Sequence, residues 1–152
     1  MDIVDKTTRS RMMSGIKGKN TRPEMMIRQA LFAEGFRYRL HVKTLAGKPD
    51  LVFPKFKKVI FVHGCFWHRH DCHLFKWPST RIEFWKHKIN KNVCVDSKNI
   101  QSLKDDGWTI LTVWECSMKG KHKLNFNELI KMISDWLLTS NIDLVISGKE
   151  KD

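Results

Sequence analysis

The chain has 152 residues, 41% of them hydrophobic, enough for one folded domain with its own core. No apolar run approaches the roughly 20 residues that cross a bilayer, and the N-terminus lacks a signal-peptide core, so the expectation is a cytoplasmic protein without a membrane partner. The formal net charge is +12, and it is uneven: residues 1–123 hold 25 Lys and Arg against 11 Asp and Glu, whereas residues 124–152 hold 3 against 5. A field of this kind suits a phosphate polyanion, which makes nucleic acid the expected partner.

Residues 1–20 are polar and basic, with Gly15, Gly18 and the pair Met12-Met13, and read as an arm. Thr21-Arg22-Pro23-Glu24 fits a capping box, with Thr21 at the N-cap and Glu24 at N3. Ile27, Ala30 and Leu31 then give helical spacing up to a stop at Gly35. Phe36 to Val42 alternates as a strand does. After the turn Ala46-Gly47-Lys48-Pro49, the runs Asp50 to Phe53 and Lys58 to Val62 form a hairpin through Pro54 to Lys57. Thr80-Arg81-Ile82-Glu83 is a second capping box. A stripe follows at steps of three and four: Ile82, Trp85, Ile89, Val93, Asp96, Ile100 and Leu103, with room for a break near Asn90 and a stop at Gly107. Trp108 to Trp114 reads as a strand. A last helix starts near Asn125 and buries Leu129, Ile130, Ile133, Trp136 and Leu137. The order α-β-β-β-α-β-α predicts an α/β fold with a central mixed sheet flanked by helices. The expected division is a basic arm over 1–20, a single catalytic or binding domain over 21–138, and a tail over 139–152.

Between the third strand and the second helix lies the densest chemistry in the chain, His63-Gly64-Cys65-Phe66-Trp67-His68-Arg69-His70-Asp71-Cys72-His73. In a cytosolic chain, cysteines clustered with histidines point to metal rather than to disulfides. Cys65, Cys72 and one histidine supply three ligands in a tight loop, and Cys116 after the last strand supplies a fourth. Thiolates and an imidazole in a tetrahedral set select zinc in a structural role. Spacing alone does not decide whether His68, His70 or His73 is the imidazole. Cys94, inside the helical stripe, reads as a spare thiol.

Asp50 stands at the start of a strand, where a carboxylate either closes a Pro-containing turn or holds Mg²⁺ at the sheet edge. Asp96 is the one charge in an apolar stripe. It either faces solvent at a kink or pairs with a histidine of the 63–73 loop, an arrangement that would orient the imidazole as a base. Glu24 has a sufficient role as a cap unless it also faces a metal. Phe66, Trp67 and Trp85 lie beside His68, Lys86 and Lys88, and aromatics among cations suit stacking on or wedging between bases. On its stripe, Trp85 equally fits a core.

In order and spacing, several segments resemble the very-short-patch repair endonucleases, the Vsr family. They are Asp5-Lys6-x-Thr8-Arg9-Ser10, Gly47-Lys48-Pro49-Asp50, His63-Gly64-Cys65-Phe66-Trp67-His68, Thr80-Arg81-x-Glu83-Phe84-Trp85, Lys91-Asn92-Val93 with Asp96, and Val113-Trp114-Glu115-Cys116. The resemblance runs to about Trp136. It implies a restriction-endonuclease type of α/β core and an enzyme that nicks one strand of duplex DNA on the 5′ side of the thymine in a T·G mispair, the product of 5-methylcytosine deamination.

By the same resemblance, Asp50 and the backbone of Val62 would ligate Mg²⁺. His68, paired with Asp96, would activate water, His63 would assist at the phosphate, and Glu24 would support the site. Cys65, His70, Cys72 and Cys116 would hold structural Zn²⁺. Phe66, Trp67 and Trp85 would intercalate beside the mispair, Met13 would approach from the minor groove, and Lys88 and Asn92 would lie near the recognised bases. Arg9 and Arg11 of the arm would contact phosphates. The position before His63 is Val62, where a hydroxyl residue is the more familiar choice; a backbone carbonyl ligand makes the two equivalent. Arg69 and Asp71 replace a more histidine-rich version of the loop, which favours His70 as the zinc ligand. The implied setting is a nucleoid-associated monomer linked in function to a cytosine-5 DNA methyltransferase and to mismatch-repair proteins. The competing functions are a zinc-stabilised DNA-binding module without catalysis and a nuclease of the same fold with another specificity.

Overall fold

A computed structural model of the chain describes residues 20–149. Arg9, Arg11 and Met13, with nearly all of the arm, lie outside them. The elements run α1 (Arg22–Ala33), β1 (Arg39–Leu40), β2 (Leu51–Phe53), β3 (Lys58–His63), α2 (Ile82–Asp105), β4 (Thr109–Trp114), a 3₁₀ turn (Glu115–Ser117), α3 (Phe126–Thr139) and β5 (Leu144–Ile146).

The strands form one mixed sheet in the order β1-β2-β3-β4-β5. The first three are antiparallel, with Leu51 opposite Ile60 and Phe53 opposite Lys58. The β3–β4 and β4–β5 pairs are parallel, with Val62 opposite Val113 and Val113 opposite Ile146. Each parallel pair needs a helical crossover, and α2 and α3 supply them. Alternation sorts the side chains. Leu51, Phe53, Ile60, Leu111 and Val113 pack against Ile27 and Leu31 of α1 and Leu129, Ile133 and Leu137 of α3. Val52, Val59, Phe61 and Ile110 pack on the other face against Leu103 of α2. The result is a three-layer α/β fold, the class the pattern predicted.

Local chemistry explains the helix ends. Thr21 caps α1 by accepting from the Glu24 backbone N–H at 3.4 Å, and Asn125 caps α3 by accepting from the Glu128 N–H at 3.1 Å. All five residues predicted for the buried stripe of α3 are buried. At the far end of α3, the ammonium of Lys58 donates to the carbonyls of Trp136 and Leu137 at 2.8 and 2.7 Å. A buried cation thus meets the negative end of a helix and adds a donor to two of its terminal carbonyls.

Four expectations are corrected. The first strand is only Arg39–Leu40, because His41 takes a left-handed φ of 47° and ends it. The second capping box does not form: Arg81, at φ 53°, is the N-cap of α2 and makes no side-chain cap bond. Helix α2 runs unbroken over 24 residues through Asn90. A fifth strand, Leu144–Ile146, extends the sheet from within the segment read as a tail.

Candidate active site and metal centres

The C-terminal end of β3, the start of β2 and the middle of α2 enclose a cleft of about 440 Å³, lined by Asp50, Val62, His63, His68 and Asp96 together with His41, Lys43, Lys48 and Asn99. Of the five side chains singled out for catalysis, Asp50, His63, His68 and Asp96 therefore share one cavity, while Glu24 is not among its lining residues. Gly47 lets the turn approach that closely. Its φ is 75°, and a Cβ there would sit 3.1 Å from Asn99 and 3.2 Å from the Phe61 ring.

Asp50 precedes β2, and its Oδ2 accepts from the Val62 backbone N–H at 2.7 Å. Burial pushes its carboxyl up to about 7, opposed by the Val62 N–H and reinforced by the adjacent Glu24 carboxylate. Two buried carboxylates in contact need a proton or a cation between them. Glu24 is 1% exposed. Its carboxylate does not return to Thr21 as a full capping box requires. It accepts instead from the Asn20 N–H at 3.0 Å, from Arg28 at 2.8 Å and from His41 Nε2 at 3.0 Å to each oxygen. Ligand atoms of Glu24, His41 and Asp50 lie within 4.8 Å of one another, so carboxylate chemistry suited to a divalent cation is assembled at the cleft.

Opposite stands the pair predicted from the apolar stripe. His68 Nδ1 donates to Asp96 Oδ2 at 2.5 Å. This fixes the ring and leaves Nε2 to accept a proton. The His63 ring stacks on that of His68, with centroids 3.8 Å apart and planes 7° apart. Burial, and then the neighbouring His68, pull the His63 pKa down to about 3, with Asp96 opposing. His63 is therefore neutral, a donor or acceptor rather than a charge.

The cysteine loop forms a second centre. Ligand atoms of Cys65, His70, Cys72 and Cys116 lie within 4.8 Å of one another, and Cys65 Sγ and Cys116 Sγ stand 3.6 and 3.5 Å from His70 Nδ1. The S–N edge of a zinc tetrahedron with ordinary bond lengths is about 3.6 Å. Burial raises the thiols of Cys65 and Cys116 and lowers His70. A cation would reverse the thiol shift, since a coordinated thiol ionises outright. The Cys/His cluster thus fits a metal ion, and of the three histidines left open by spacing it is His70 that lies among the thiols. Cys94 is exposed and free, as expected of a spare thiol.

Trp114, quoted in the sequence but given no role in the site, lies between the two centres. The His70 ring stacks on it at 4.2 Å, and His63 meets it edge-on at 5.3 Å.

Phe66 and Trp67, which precede His68 in the loop, form one aromatic cluster with Trp85, with centroid distances of 5.1, 5.5 and 5.9 Å. All three rings remain partly exposed, unlike core residues. Asn92 donates to the Trp67 carbonyl at 3.0 Å, which ties the loop to α2. Lys88 is exposed on the same helix.

Two comparisons bear on this arrangement. The family model for DNA mismatch endonuclease Vsr matches residues 1–74. The DNA mismatch endonuclease Vsr of Escherichia coli (strain K12) is 43% identical over 136 residues, covering 90% of this chain and 87% of that protein. The chain belongs to the Vsr family. Two further relatives are nicking enzymes by name: the type II nicking enzyme V.NmeAIP of Neisseria meningitidis serogroup A is 42% identical over 88% of this chain and 97% of its own length. V.XorIIP of Xanthomonas oryzae pv. oryzae is 41% identical over 77% of this chain and 86% of its own length. As a Vsr family member the chain is a DNA endonuclease, and its cleft and cysteine centre are to be read in that light. Among the described residues, no helix is long and apolar enough to cross a membrane.

The residue missed from sequence that bears most on this site is His41. It fell inside a predicted strand, and nothing in its neighbours' spacing marks it; only the chain reversal at a positive φ brings its ring to Glu24.

Proposed function

We propose that this Vsr family endonuclease nicks one strand of duplex DNA on the 5′ side of the thymine in a T·G mispair, with Mg²⁺ in the cleft and Zn²⁺ in the cysteine centre. The observation that carries the reading is the His68–Asp96 pair sharing one open cleft with Asp50, on a loop whose Phe66 and Trp67 join Trp85 in a partly exposed aromatic cluster. A non-catalytic module leaves that cleft without a purpose.

Each residue has a role in this reading. Asp50 and the Val62 carbonyl would hold Mg²⁺, which offsets the charge that builds on the phosphate during hydrolysis. His68 takes the proton of the attacking water on Nε2, while Asp96 stabilises the imidazolium that forms. Neutral His63, stacked on it, hydrogen-bonds the phosphate. Glu24 fixes the carboxylate side of the cleft. Cys65, His70, Cys72 and Cys116 clamp the loop that carries His63 and His68, so zinc serves position rather than chemistry.

Recognition in this reading is by wedging. Phe66, Trp67 and Trp85 enter the stack beside the mispair. Unstacking a step takes a few kcal/mol, and least where pairing is already weak, so the mispair selects itself. Lys88 and Asn92 lie near the bases; Asn92 keeps its carbonyl oxygen for an exocyclic amine while its amide holds Trp67. Arg9, Arg11 and Met13 act from the arm over 1–20, with the catalytic unit over 21–138 and a short C-terminal segment over 139–152. The enzyme works as a monomer on nucleoid DNA in the cytoplasm, in functional partnership with a cytosine-5 methyltransferase and mismatch-repair proteins.

The test is Mg²⁺-dependent nicking of a T·G duplex beside its T·A control. Nicking confined to the T·G strand supports the reading. Equal cutting of both duplexes makes the chain a nuclease of other specificity, and no cutting of either refutes catalysis.

A further inference from the structure

We infer that His41 is a direct ligand of the divalent cation in the cleft, alongside Glu24 and Asp50, and that it makes this enzyme bind Mn²⁺ in preference to Mg²⁺. The inference rests on the cleft being the catalytic cation site.

Three observations lead there. The backbone is reversed at His41, with φ 47° and its N–H donating to the Asp50 carbonyl at 3.2 Å. The reversal ends β1 and turns the ring into the cleft, where it would otherwise continue an exposed edge strand. Next, Nε2 stands 3.0 Å from both oxygens of Glu24. Metal bonds of about 2.1 Å at right angles set neighbouring ligand atoms about 3.0 Å apart, so these atoms already have the spacing of one coordination edge. Finally, the two carboxylates call for a cation. Asp50 Oδ2 accepts from the Val62 N–H, the Asp50 carboxyl lies against that of Glu24, and burial of the pair disfavours two bare carboxylates.

The donor set has a chemical consequence. Two carboxylate oxygens and backbone oxygen suit Mg²⁺. An added imidazole nitrogen does not, because Mg²⁺ keeps oxygen ligands and water, whereas Mn²⁺ accepts nitrogen readily. The alternative is that His41 only orients Glu24 through a hydrogen bond. Glu24 already has Arg28 and the Asn20 N–H for that purpose.

The experiment measures metal binding without DNA on the full chain with its zinc in place. Mn²⁺ is followed by the loss of the free-ion paramagnetic resonance signal, and Mg²⁺ by calorimetry. Wild type is expected to bind Mn²⁺ at least about tenfold more tightly than Mg²⁺. His41→Gln keeps a side-chain hydrogen bond to Glu24 but offers oxygen instead of imidazole. It should lower Mn²⁺ affinity about 10–100-fold and leave Mg²⁺ affinity within about threefold. Asp50→Asn should weaken both ions. Equal Mn²⁺ and Mg²⁺ affinity in wild type, or an unchanged Mn²⁺ affinity in His41→Gln, overturns the assignment. Unchanged binding in Asp50→Asn overturns it too, by placing the cation elsewhere. With no DNA present, each result stands whether or not the chain nicks a mispair.

Discussion

One loop, residues 63–73, feeds two centres of opposite character. On one side Cys65 and Cys116 are buried at 0% and 2% exposure, and with His70 and Cys72 they close a four-ligand set of sulfur and nitrogen. On the other, His63 and His68 open onto a cleft with Asp50 and Asp96, where oxygen and nitrogen atoms line an open space. A closed soft set makes a structural site, and an open hard set makes a reactive one. The loop carries four histidines and two cysteines in eleven residues, and in the proposed reading a metal in the closed centre would give it the rigidity the open one needs. Trp114 lies against rings from both.

The comparison fails first where chemistry and stability can be separated. Asp50→Ala should lower nicking by about 10³-fold or more, since the cation would lose a buried carboxylate ligand. Its T·G affinity and zinc content should stay near wild type, as shown by a gel nicking assay, a binding titration and metal analysis. His68→Ala should lose about 10²–10⁴-fold, the range of a positioned general base, because hydroxide from solvent partly replaces it.

Cys116→Ser sharpens the other side. Removing one ligand of a closed set takes away metal-binding energy that is also folding energy. The melting temperature should drop sharply, with zinc lost, and nicking by the fraction still folded should show whether the centre acts only through position. Trp67→Ala has a narrower effect. It should weaken T·G binding about 10-fold or more, the loss of a stacking contact of roughly 1–3 kcal/mol, and weaken T·A binding much less. Arg9→Ala and Arg11→Ala should weaken both duplexes alike and shallow the salt dependence, if each contacts a phosphate. Equal loss on both duplexes from Trp67→Ala would reduce the aromatic cluster to packing.

A further expected effect is a pH dependence of stability. His63 is held down near 3 by burial, while an unfolded histidine titrates near 6.5. Below pH 6.5 the unfolded chain takes up a proton that the folded chain does not, so stability falls as pH falls, down to about pH 3. His63→Gln should flatten that slope relative to wild type in urea melts over this range. Identical slopes would show that His63 is not held neutral.

Local patterns carried much of this site. The stripe on α2 placed Asp96 on the same side as the loop because helical period is a local property, and the register of β3 put His63 at a strand end. The Cys/His spacing pointed to a cluster that could hold a metal ion, and the fold does bring Cys65, His70, Cys72 and Cys116 together. What escaped depended on chain reversals and on parallel pairing. His41 turns at a positive φ that its neighbours do not encode. Arg81 replaced Thr80 as the cap because φ 53° at that position starts the helix one residue later. Strand β5 is three residues of Leu, Val and Ile whose partner lies some thirty positions away in β4, and no local period announces such a pairing.

The most direct measurement is made on one gel-filtered sample in metal-free buffer, by elemental analysis and by nicking of a T·G duplex before and after a divalent cation is added. The account predicts one zinc per chain, no nicking at first, and full nicking on adding Mg²⁺. Full activity before any addition, or folded and active protein without zinc, would contradict the division into a closed structural centre and an open catalytic one.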